Sequence, residues 1–423
     1  MSTSPVSGDY LILWKVADGI TYRVYTNDIA NLLSTTNPND AWFQNIYVKR
    51  FARISGIIGG NTGTNLLSGL HPGILAGANN RAVRNQSAIL CGDGNLTSGE
   101  SSLSAGEDNQ VFGYLALALG GQIHFVEPEG ASVVGGFSHT ILGTQGLNSA
   151  IIAGNTNVLT GDSTNSVILG GRTHRLMAIN AGILGGSRHI VSGASAVILG
   201  GAAGLCSGSG AAIIGGQSHE NYGDSAVILG GEDNYTQSAS SAIIGGTQHV
   251  IDKTSSDNAG IFAGLTNTIT GQSSYGGIFV GQSNRLMGLR SAIIGGNANT
   301  ISGQSSAVIV GGITNVASGA NSVIAGGDRN ATFNTDAFIG GGIQNFVGSS
   351  DAGIVAGDSN RIISNQADGS VIVGGILNRI SGESSYSAIV GGQGNHLRGL
   401  QSVILAGDSN KISGNYCTVL GGT

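Results

Sequence analysis

The sequence contains little charge, little proline and almost no cysteine or tryptophan. Only 10 % of its 423 residues are charged, and it has four Pro, three Cys and two Trp. So few prolines exclude collagen. The three distant cysteines Cys91, Cys206 and Cys417 form neither a disulfide framework nor a CxxC metal pair. No apolar run approaches the ~18 residues of a membrane span, and the N-terminus lacks the basic and apolar regions of a signal peptide.

Basic residues are also scarce. The chain has 18 Lys and Arg against 24 Asp and Glu, a formal net charge of −6. A protein that binds nucleic acid normally presents a basic surface to the phosphates. We therefore expect neither a nucleic acid partner nor insertion into a membrane.

Glycine, in contrast, is abundant. The chain has 74 glycines, well above the ~7 % that is usual, and each Gly inside a helix costs ~1 kcal/mol relative to Ala. A mostly helical fold is excluded on that ground. Disorder needs low hydrophobicity and high charge, whereas 40 % of this chain is hydrophobic. The composition predicts an all-β fold.

A short glycine-rich pattern repeats through most of the chain. A glycine that closes an apolar tetrad, as in SAIIGG at 291–296, recurs 24 times from Gly60 to Gly422, most often every 15 residues. We call it the anchor glycine and count positions from it. Position −3 is Ile in twenty of the 24 repeats, +3 is nearly always Asn or His, and +5 is usually apolar. Such repeats predict a solenoid with one coil per repeat.

Each coil is expected to hold two short strands, the apolar tetrad and the segment around +3 to +5. In the second strand +3 and +5 share one face, while +4 carries residues such as Arg175, Arg285 and Lys411. This alternation predicts an inner and a wet outer face. The inner Asn and His side chains should hydrogen-bond along the axis. We assign to this internal polar ladder Asn80, Asn95, His124, His139, His174, His189, Asn299, Asn315, Asn360 and Asn410.

The first strand is apolar at both −3 and −2, as in a strand that is covered on both faces. One face fills the coil's own core and the other needs a partner, because a soluble monomer tolerates apolar patches of only a few hundred Å². We expect parallel copies around one rotation axis, as a homotrimer. The isoleucines at −3 are assigned to this oligomer stripe: Ile168, Ile183, Ile198, Ile213, Ile228, Ile243 and Ile293.

The period of 15 is shorter than the ~18 residues per turn of triangular left-handed helices and than the paired nonapeptides of calcium-binding rolls. The pattern S-x-A-I-G-x-x-S/N-x-A/I-x-G-x-x resembles the left-handed parallel β-roll of trimeric autotransporter adhesin heads. The resemblance covers residues 54–423 and implies a trimer whose rolls lie side by side around a common axis. The export signal, coiled-coil stalk and membrane anchor of those adhesins are not seen in this sequence.

Residues 1–53 form a separate module. We predict a hairpin of 10–16 and 20–25, followed by a short helix over 27–33. A small aromatic module before a long, trimer-forming β-repeat shaft resembles the plan of bacteriophage and other viral fibres. That resemblance implies that the N-terminus docks on the virion. The residues assigned to virion attachment are Tyr10, Trp14, Tyr22, Tyr25 and Trp42.

The spacing between anchors widens periodically, so that a unit of seven coils and 110 or 111 residues recurs. The extra residues fall in one turn, at 143–148, 253–258 and 364–368, with shorter additions near 162, 274 and 385. Insertions in solenoids collect on one face, often the binding face. The candidate contact residues are Lys253, Asp257, Tyr275, Gln366 and Tyr386. Neutral bulges are the alternative.

Signs of chemistry are few. A metal between the stacked imidazoles of adjacent coils is one alternative to a purely structural ladder. Calcium needs several converging carboxylates, whereas Asp after an anchor glycine is ordinary turn chemistry. Glu127 with Glu129, and Asp252 with Asp257, are the only close loop-borne carboxylate pairs of the kind that a glycosidase uses. The phosphate-loop motif GxxxxGK[ST] is absent. We expect no catalytic, cofactor or metal site.

Together these inferences predict an all-β, homotrimeric parallel solenoid of about 24 coils over residues 54–423, preceded by the module at 1–53. The expected role is a structural virion fibre subunit on the particle surface, not an enzyme. Its expected partners are other copies of itself, other virion proteins and a host surface glycan or protein. A cellular or secreted trimeric adhesin is the first alternative, and a glycan-depolymerising tailspike is the second.

Overall fold

A computed structural model describes residues 10–14, 21–25, 56–57, 65–143, 146–252, 256–303 and 305–423. Two units, 1–138 and 139–423, are distinguished and are described separately. Both contain a parallel β-solenoid with two short strands per coil, about 23 turns in all with a period of roughly 15 residues. The all-β solenoid expected from the repeat is confirmed, and the described ranges contain no helix.

The first unit begins with a hairpin. Tyr10–Trp14 pairs antiparallel with Thr21–Tyr25, with Tyr10 opposite Tyr25. The predicted helix over 27–33 and Trp42 lie outside the described residues. The first strands of its coils are Gly56–Ile57, Gly73–Ile74, Ala88–Asp93, Leu103–Glu107, Leu117–Leu119 and Ser132–Val134. The second strands are Leu66–Leu67, Arg81–Ala82, Leu96–Thr97, Gln110–Val111 and Phe125–Val126.

The described residues of the second unit form solenoid coils. Its first strands are Ala150–Ile151, Val167–Ile168, Gly182–Ile183, Val197–Ile198, Ala212–Ile213, Val227–Ile228, Ala242–Ile243, Gly260–Ile261, Gly277–Ile278, Ala292–Ile293, Val308–Ile309, Val323–Ile324, Phe338–Ile339, Gly353–Ile354, Val371–Ile372, Ala388–Ile389, Val403–Ile404 and Thr418–Val419. Its second strands are Thr140–Ile141, Val158–Leu159, Arg175–Leu176, Ile190–Val191, Leu205–Cys206, Glu220–Asn221, Tyr235–Thr236, Val250–Ile251, Thr268–Ile269, Arg285–Leu286, Thr300–Ile301, Val316–Ala317, Ala331–Thr332, Phe346–Val347, Arg361–Ile362, Arg379–Ile380, His396–Leu397 and Lys411–Ile412.

Equivalent residues of successive coils are paired in parallel register. Ile168 lies opposite Ile183 in the sheet of first strands, and Leu176 lies opposite Val191 in the sheet of second strands. The N–H of Val167 donates to the carbonyl of Ala181 in the following coil at 3.0 Å. The core lies between the two sheets, because side chains at −3 and +5 point inward and are fully buried, as Ile183 and Leu176 are. Stacking therefore buries an apolar column that a single coil could not cover.

The corners of the coils use left-handed backbone at residues other than glycine. Positions +2 and −6 have positive φ, for example 57° at Arg188 and 54° at Asn180. Such a conformation costs roughly 1 kcal/mol or more for an L-residue. The N–H groups of these residues donate to the preceding coil, from Arg188 to Arg172 and from Asn180 to Thr164, both at 2.9 Å. Hydrogen bonds between coils thus offset the strain at the corners.

The anchor position requires glycine for two reasons. Gly312 has a φ of +94°, and a Cβ there would lie 2.2 Å from the carbonyl oxygen of Gly327 and 2.5 Å from Nδ2 of Asn315. The preceding residue, Gly311, has ordinary φ, and a Cβ on it would have no neighbouring atom within 4 Å. Alanine occupies the position of Gly311 in another coil, at Ala356. Alanine therefore fits at the position of Gly311 but not at that of Gly312.

Replacement of these glycines tests the close approach of the coils. We expect Gly312→Ala to lower the free energy of unfolding by about 3 kcal/mol or more, because strain and a backbone clash combine. Gly311→Ala should change it by less than about 0.5 kcal/mol. Urea unfolding followed by far-UV circular dichroism measures both. Equal effects of the two substitutions would contradict the stacking described.

Candidate functional site

An internal column of Asn and His side chains joins the coils. In Asn299, Oδ1 accepts the backbone N–H of Asn315 in the next coil at 2.9 Å. Its Nδ2 donates to the carbonyls of Gly295 at 3.1 Å and of the next anchor glycine, Gly312, at 3.0 Å. All three bonds go to backbone groups. The side chain therefore satisfies the polar groups that the turn before strand two leaves inside the solenoid.

This arrangement repeats without interruption over a long part of the second unit. Between Asn267 and Asn410, nine consecutive ladder residues donate their N–H to the Oδ1 of the ladder residue before them, at 2.9–3.0 Å. In the first unit the N–H of Asn95 donates in the same way to Asn80 at 3.0 Å. Of the ten residues assigned to the ladder, nine are fully buried and Asn410 is half-buried.

Histidine reproduces the acceptor bond of Asn to the next coil. Nδ1 of His174 accepts the N–H of His189 at 3.1 Å, and Nδ1 of His189 accepts the N–H of Gly204 at 3.0 Å. The two rings are stacked, with centroids 4.9 Å apart and planes at 1°. Because Nδ1 is an acceptor, the ring proton lies on Nε2 and the imidazole is neutral. Protonation would place an N–H donor against another N–H donor.

Burial also favours the neutral form of these imidazole rings. Desolvation lowers the pKa of His139, His189, His219 and His249 below the usual 6.5. It lowers the pKa of His174 to about 4, where the charge of His189 adds to the effect. A neighbouring carboxylate, Asp233, partly offsets the shift at His219. The ladder therefore holds neutral histidine.

A second polar column was missed at the sequence level. Buried serines at −5 accept the N–H of the equivalent residue in the next coil, from Ser387 to Ser370 at 3.1 Å and from Ser402 to Ser387 at 3.0 Å. The hydroxyl of Ser387 donates onward to the carbonyl of Gly399 at 2.7 Å. The Ser that recurs at the start of SAIIGG is the feature of the sequence that could have indicated this column. Where serine holds −5, it satisfies the second turn of the coil as Asn satisfies the first, whereas other coils have a buried alanine at this position, such as Ala196 and Ala211.

The assignment of the oligomer stripe to position −3 is wrong. Ile168, Ile183, Ile198, Ile213, Ile228, Ile243 and Ile293 are at most 1 % exposed within the single chain. They share the inward face of strand one with the serines at −5, since strand side chains alternate with a period of two. They form the core of the coils and cannot contact another chain.

The outward face of the same strand carries an exposed stripe instead. We define the apolar stripe of the second unit as positions −4, −2 and −1, none of which holds a charged residue. Its large members are about 40 % exposed, for example Leu199 at 39 % and Ile214 at 41 %. Phe262 and Phe279 lie on it with their rings stacked at 4.8 Å. An uncharged surface that recurs in coil after coil is typical of an interaction face.

The inserted residues stack on one another between strand two and the next strand one. The N–H of Tyr275 donates to the carbonyl of Asp257 at 3.1 Å, and the N–H of Tyr386 donates to that of Asp368 at 2.9 Å. Both tyrosines are more than 60 % exposed. The carbonyl of Gln366 accepts the N–H of Ser384 at 2.8 Å. Lys253 lies outside the described residues.

The His, Cys, Asp and Glu side chains that could bind a metal or catalyse a reaction do not cluster in the described residues. Asp257 uses Oδ1 to accept the N–H of Ala239 at 3.1 Å, which is a structural role in a turn. Over the described ranges, no group of three or more His, Cys, Asp or Glu side chains lies together as a metal site would require. No helix in the same ranges is long and apolar enough to cross a membrane.

In the hairpin, the structure places Tyr10 opposite Tyr25 and Leu13 opposite Tyr22. Four of the five residues assigned to virion attachment, Tyr10, Trp14, Tyr22 and Tyr25, thus lie on two adjacent paired strands. Comparison with known proteins gives no further assignment: no family model matches the chain, and no curated protein is significantly similar to it.

The neutral ladder predicts a loss of stability in acid. Because the folded pKa values lie below 6.5, the unfolded chain binds more protons below that pH, so this stability is complete above about pH 6.5 and falls as the pH approaches 4. His174 alone should contribute a loss of about 2 kcal/mol between about pH 7 and pH 5. Urea unfolding across this range measures the effect.

The variant His174→Asn with His189→Asn provides the control, because Asn is the usual occupant and keeps an acceptor for the next N–H. We expect this variant to lose less stability on acidification than the native chain. Identical pH profiles for the two proteins would contradict a buried neutral ladder.

Proposed function

We propose that this chain is a structural subunit of a virion fibre, in which parallel copies associate through the apolar stripe to form a homotrimeric shaft. The N-terminal module attaches the shaft to the particle, and the shaft presents the opposite face of its coils to a host surface. The observation that carries the proposal is the stripe on the outer face of strand one.

The stripe supplies enough apolar surface for association. Complete burial of a Leu or Ile side chain is worth ~2 kcal/mol, so covering the exposed two fifths yields ~0.8 kcal/mol per coil. Sixteen coils of the second unit have a branched or aromatic residue at −2, which corresponds to ~13 kcal/mol for each chain. This is comparable to the ~4–15 kcal/mol cost of association, and every added copy contributes again.

The two faces of the coils differ in a way that favours a closed assembly. The outer face of strand two carries charged residues such as Arg175, Glu220 and Lys411, whereas the apolar stripe carries none. Each copy has only one apolar face, and copies cover these faces best when all of them point toward a common axis. Such an arrangement is a closed ring of a few copies. The resemblance to trimeric adhesin heads and viral fibres favours three.

Charge introduced into the stripe should dissociate the fibre. We expect Leu199→Asp with Ile214→Asp to raise the dissociation constant of the assembly by about 100-fold or more, because each copy would place two unpaired carboxylates in the interface. Sedimentation velocity measures the oligomeric state of each protein.

The matched control is Ile190→Asp with Leu205→Asp, which changes the same residue types on the outer face of strand two, where Ile190 is 40 % exposed. This control should remain assembled. Dissociation of both variants, or of neither, would contradict the assignment of the interface.

The location on a virion is tested by imaging. Antibodies against residues 1–53 and against the last coils should both label intact virus particles in immunogold electron microscopy, with the first label closer to the particle body. Label on cell surfaces and none on particles would instead identify a cellular adhesin.

A further inference from the structure

The last four coils place a basic residue at the same outward position of strand two. Arg361 lies opposite Arg379, Arg379 opposite His396, and His396 opposite Lys411. Neighbouring parallel strands are ~4.8 Å apart, so these side chains form a straight line along the axis. Arg398 adds a further cation two residues after His396. We refer to Arg361, Arg379, His396, Arg398 and Lys411 as the basic strip.

The basic strip is not neutralised by carboxylates of its own coils. The acidic residues of this region, at 358, 368, 383 and 408, lie in the turns and not on strand two. Arg329 forms an ion pair with Asp328 in an earlier coil. Arg361, Arg379, Arg398 and Lys411 form no ion pair in this part of the chain. Like charges directly opposite one another destabilise a sheet, so the strip has a cost without a ligand.

The positive charges of the strip favour the neutral form of its one histidine, His396. Burial lowers the pKa of His396, and the charges of Arg398, Arg379 and Lys411 lower it further. Nε2 of His396 lies 2.7 Å from Oγ of Ser381 and 3.2 Å from Nε of Arg398. Arg379, Arg398 and Lys411 therefore lie close enough together to act on one side chain, His396.

An aromatic pair lies on the same outward face before the strip, with Phe346 at the position of Arg361 and Phe333 two residues after Ala331, which pairs with Phe346. Phe333 and Phe346, from the two coils before Arg361, have ring centroids 5.2 Å apart, and the guanidinium of Arg361 lies over the ring of Phe346 at 5.2 Å. Phe333 is 49 % exposed. Six successive coils thus present, in order, two aromatic rings and four basic side chains on one outward face. Exposed rings beside cations suit a ligand with apolar faces and negative charges.

We propose that this surface, from Phe333 to Lys411, binds a linear acidic polysaccharide that lies along the axis of the coils. Sugar rings pack on Phe333 and Phe346, and carboxylate or sulfate groups pair with the basic strip. A polymer suits a line of cations repeated from coil to coil better than a small anion does, because each further coil adds an equivalent contact.

Nucleic acid fits the same surface less well. Each DNA strand carries a phosphate every ~3.4 Å, whereas successive positions of the strip are ~4.8 Å apart along strand two, and the one held by His396 is neutral because its pKa is lowered. The remaining phosphates would face a chain whose net charge is −6. A polysaccharide with sparser charges avoids this repulsion.

The glycan site rests on the proposed function only for its biological role, because a fibre displayed on a particle would meet glycans on a host surface. The basic strip belongs to strand two, on the side of the coils opposite the apolar stripe. Loss of glycan binding and loss of self-association are therefore separable in one sample.

The test is binding of the full chain to immobilised polygalacturonate, with neutral dextran and oligothymidine as comparison ligands. We expect binding to polygalacturonate that weakens with salt, and none to dextran. Arg361→Gln with Arg379→Gln and Lys411→Gln should weaken it about tenfold or more. The control with the same change of charge is Arg81→Gln with Arg175→Gln and Arg285→Gln, at the same outward position in other coils, and it should bind like the native chain.

Sedimentation of every variant is recorded in the same buffer. An unchanged oligomeric state together with lost binding supports the proposal. Absence of polygalacturonate binding by the native chain, equal loss in both triple variants, or tighter binding of oligothymidine than of polygalacturonate overturns it. A native chain that binds polygalacturonate but sediments as a monomer overturns the proposed fibre and leaves the glycan site standing.

Discussion

The hydrogen bonds from each ladder side chain to the backbone of the next coil are the interaction on which the rest of the structure depends. Both turns of a coil leave carbonyl and N–H groups pointing into a narrow interior, where each unpaired group would cost ~1–3 kcal/mol. Asn299 and its equivalents satisfy the groups of the turn before strand two, on two coils at once. The anchor glycines follow from this, because a Cβ there would occupy the space of the amide and of the next carbonyl.

The composition of the outer faces is a consequence of how the interior is filled. Usually serine or alanine at −5, usually isoleucine at −3, the ladder residue at +3 and a mostly aliphatic residue at +5 occupy the inward positions. Strand one must then direct its remaining apolar residues, such as Leu199 and Ile214, outward. Association of copies would remove such a face from water, whereas strand two is free to carry charge. The proposed self-association and the proposed ligand contact therefore use opposite faces of the same coil.

The sequence was sufficient for the period, the two strands per coil and the inward placement of the ladder, because alternation in strand two is unambiguous. It could not decide which side of strand one is inside. Ile168 and Leu169 are both apolar, so either could point inward. Which of them does so depends on whether it shares a face with Ser166. Ser166 is small and polar and is equally suited to a turn, so the sequence does not show that it is buried. The left-handed corners at residues such as Arg188 and Tyr275 were also beyond sequence reasoning. Their strain is offset by hydrogen bonds that exist only once the coils are stacked.

The central claim is that the apolar stripe holds parallel copies of this chain together, and the mass of the native protein in solution tests it most directly. Sedimentation equilibrium at micromolar concentration should give three times the 42.3 kDa mass of the chain. A stable, monodisperse species with the mass of one chain would show that the stripe remains in contact with water, and would contradict the account.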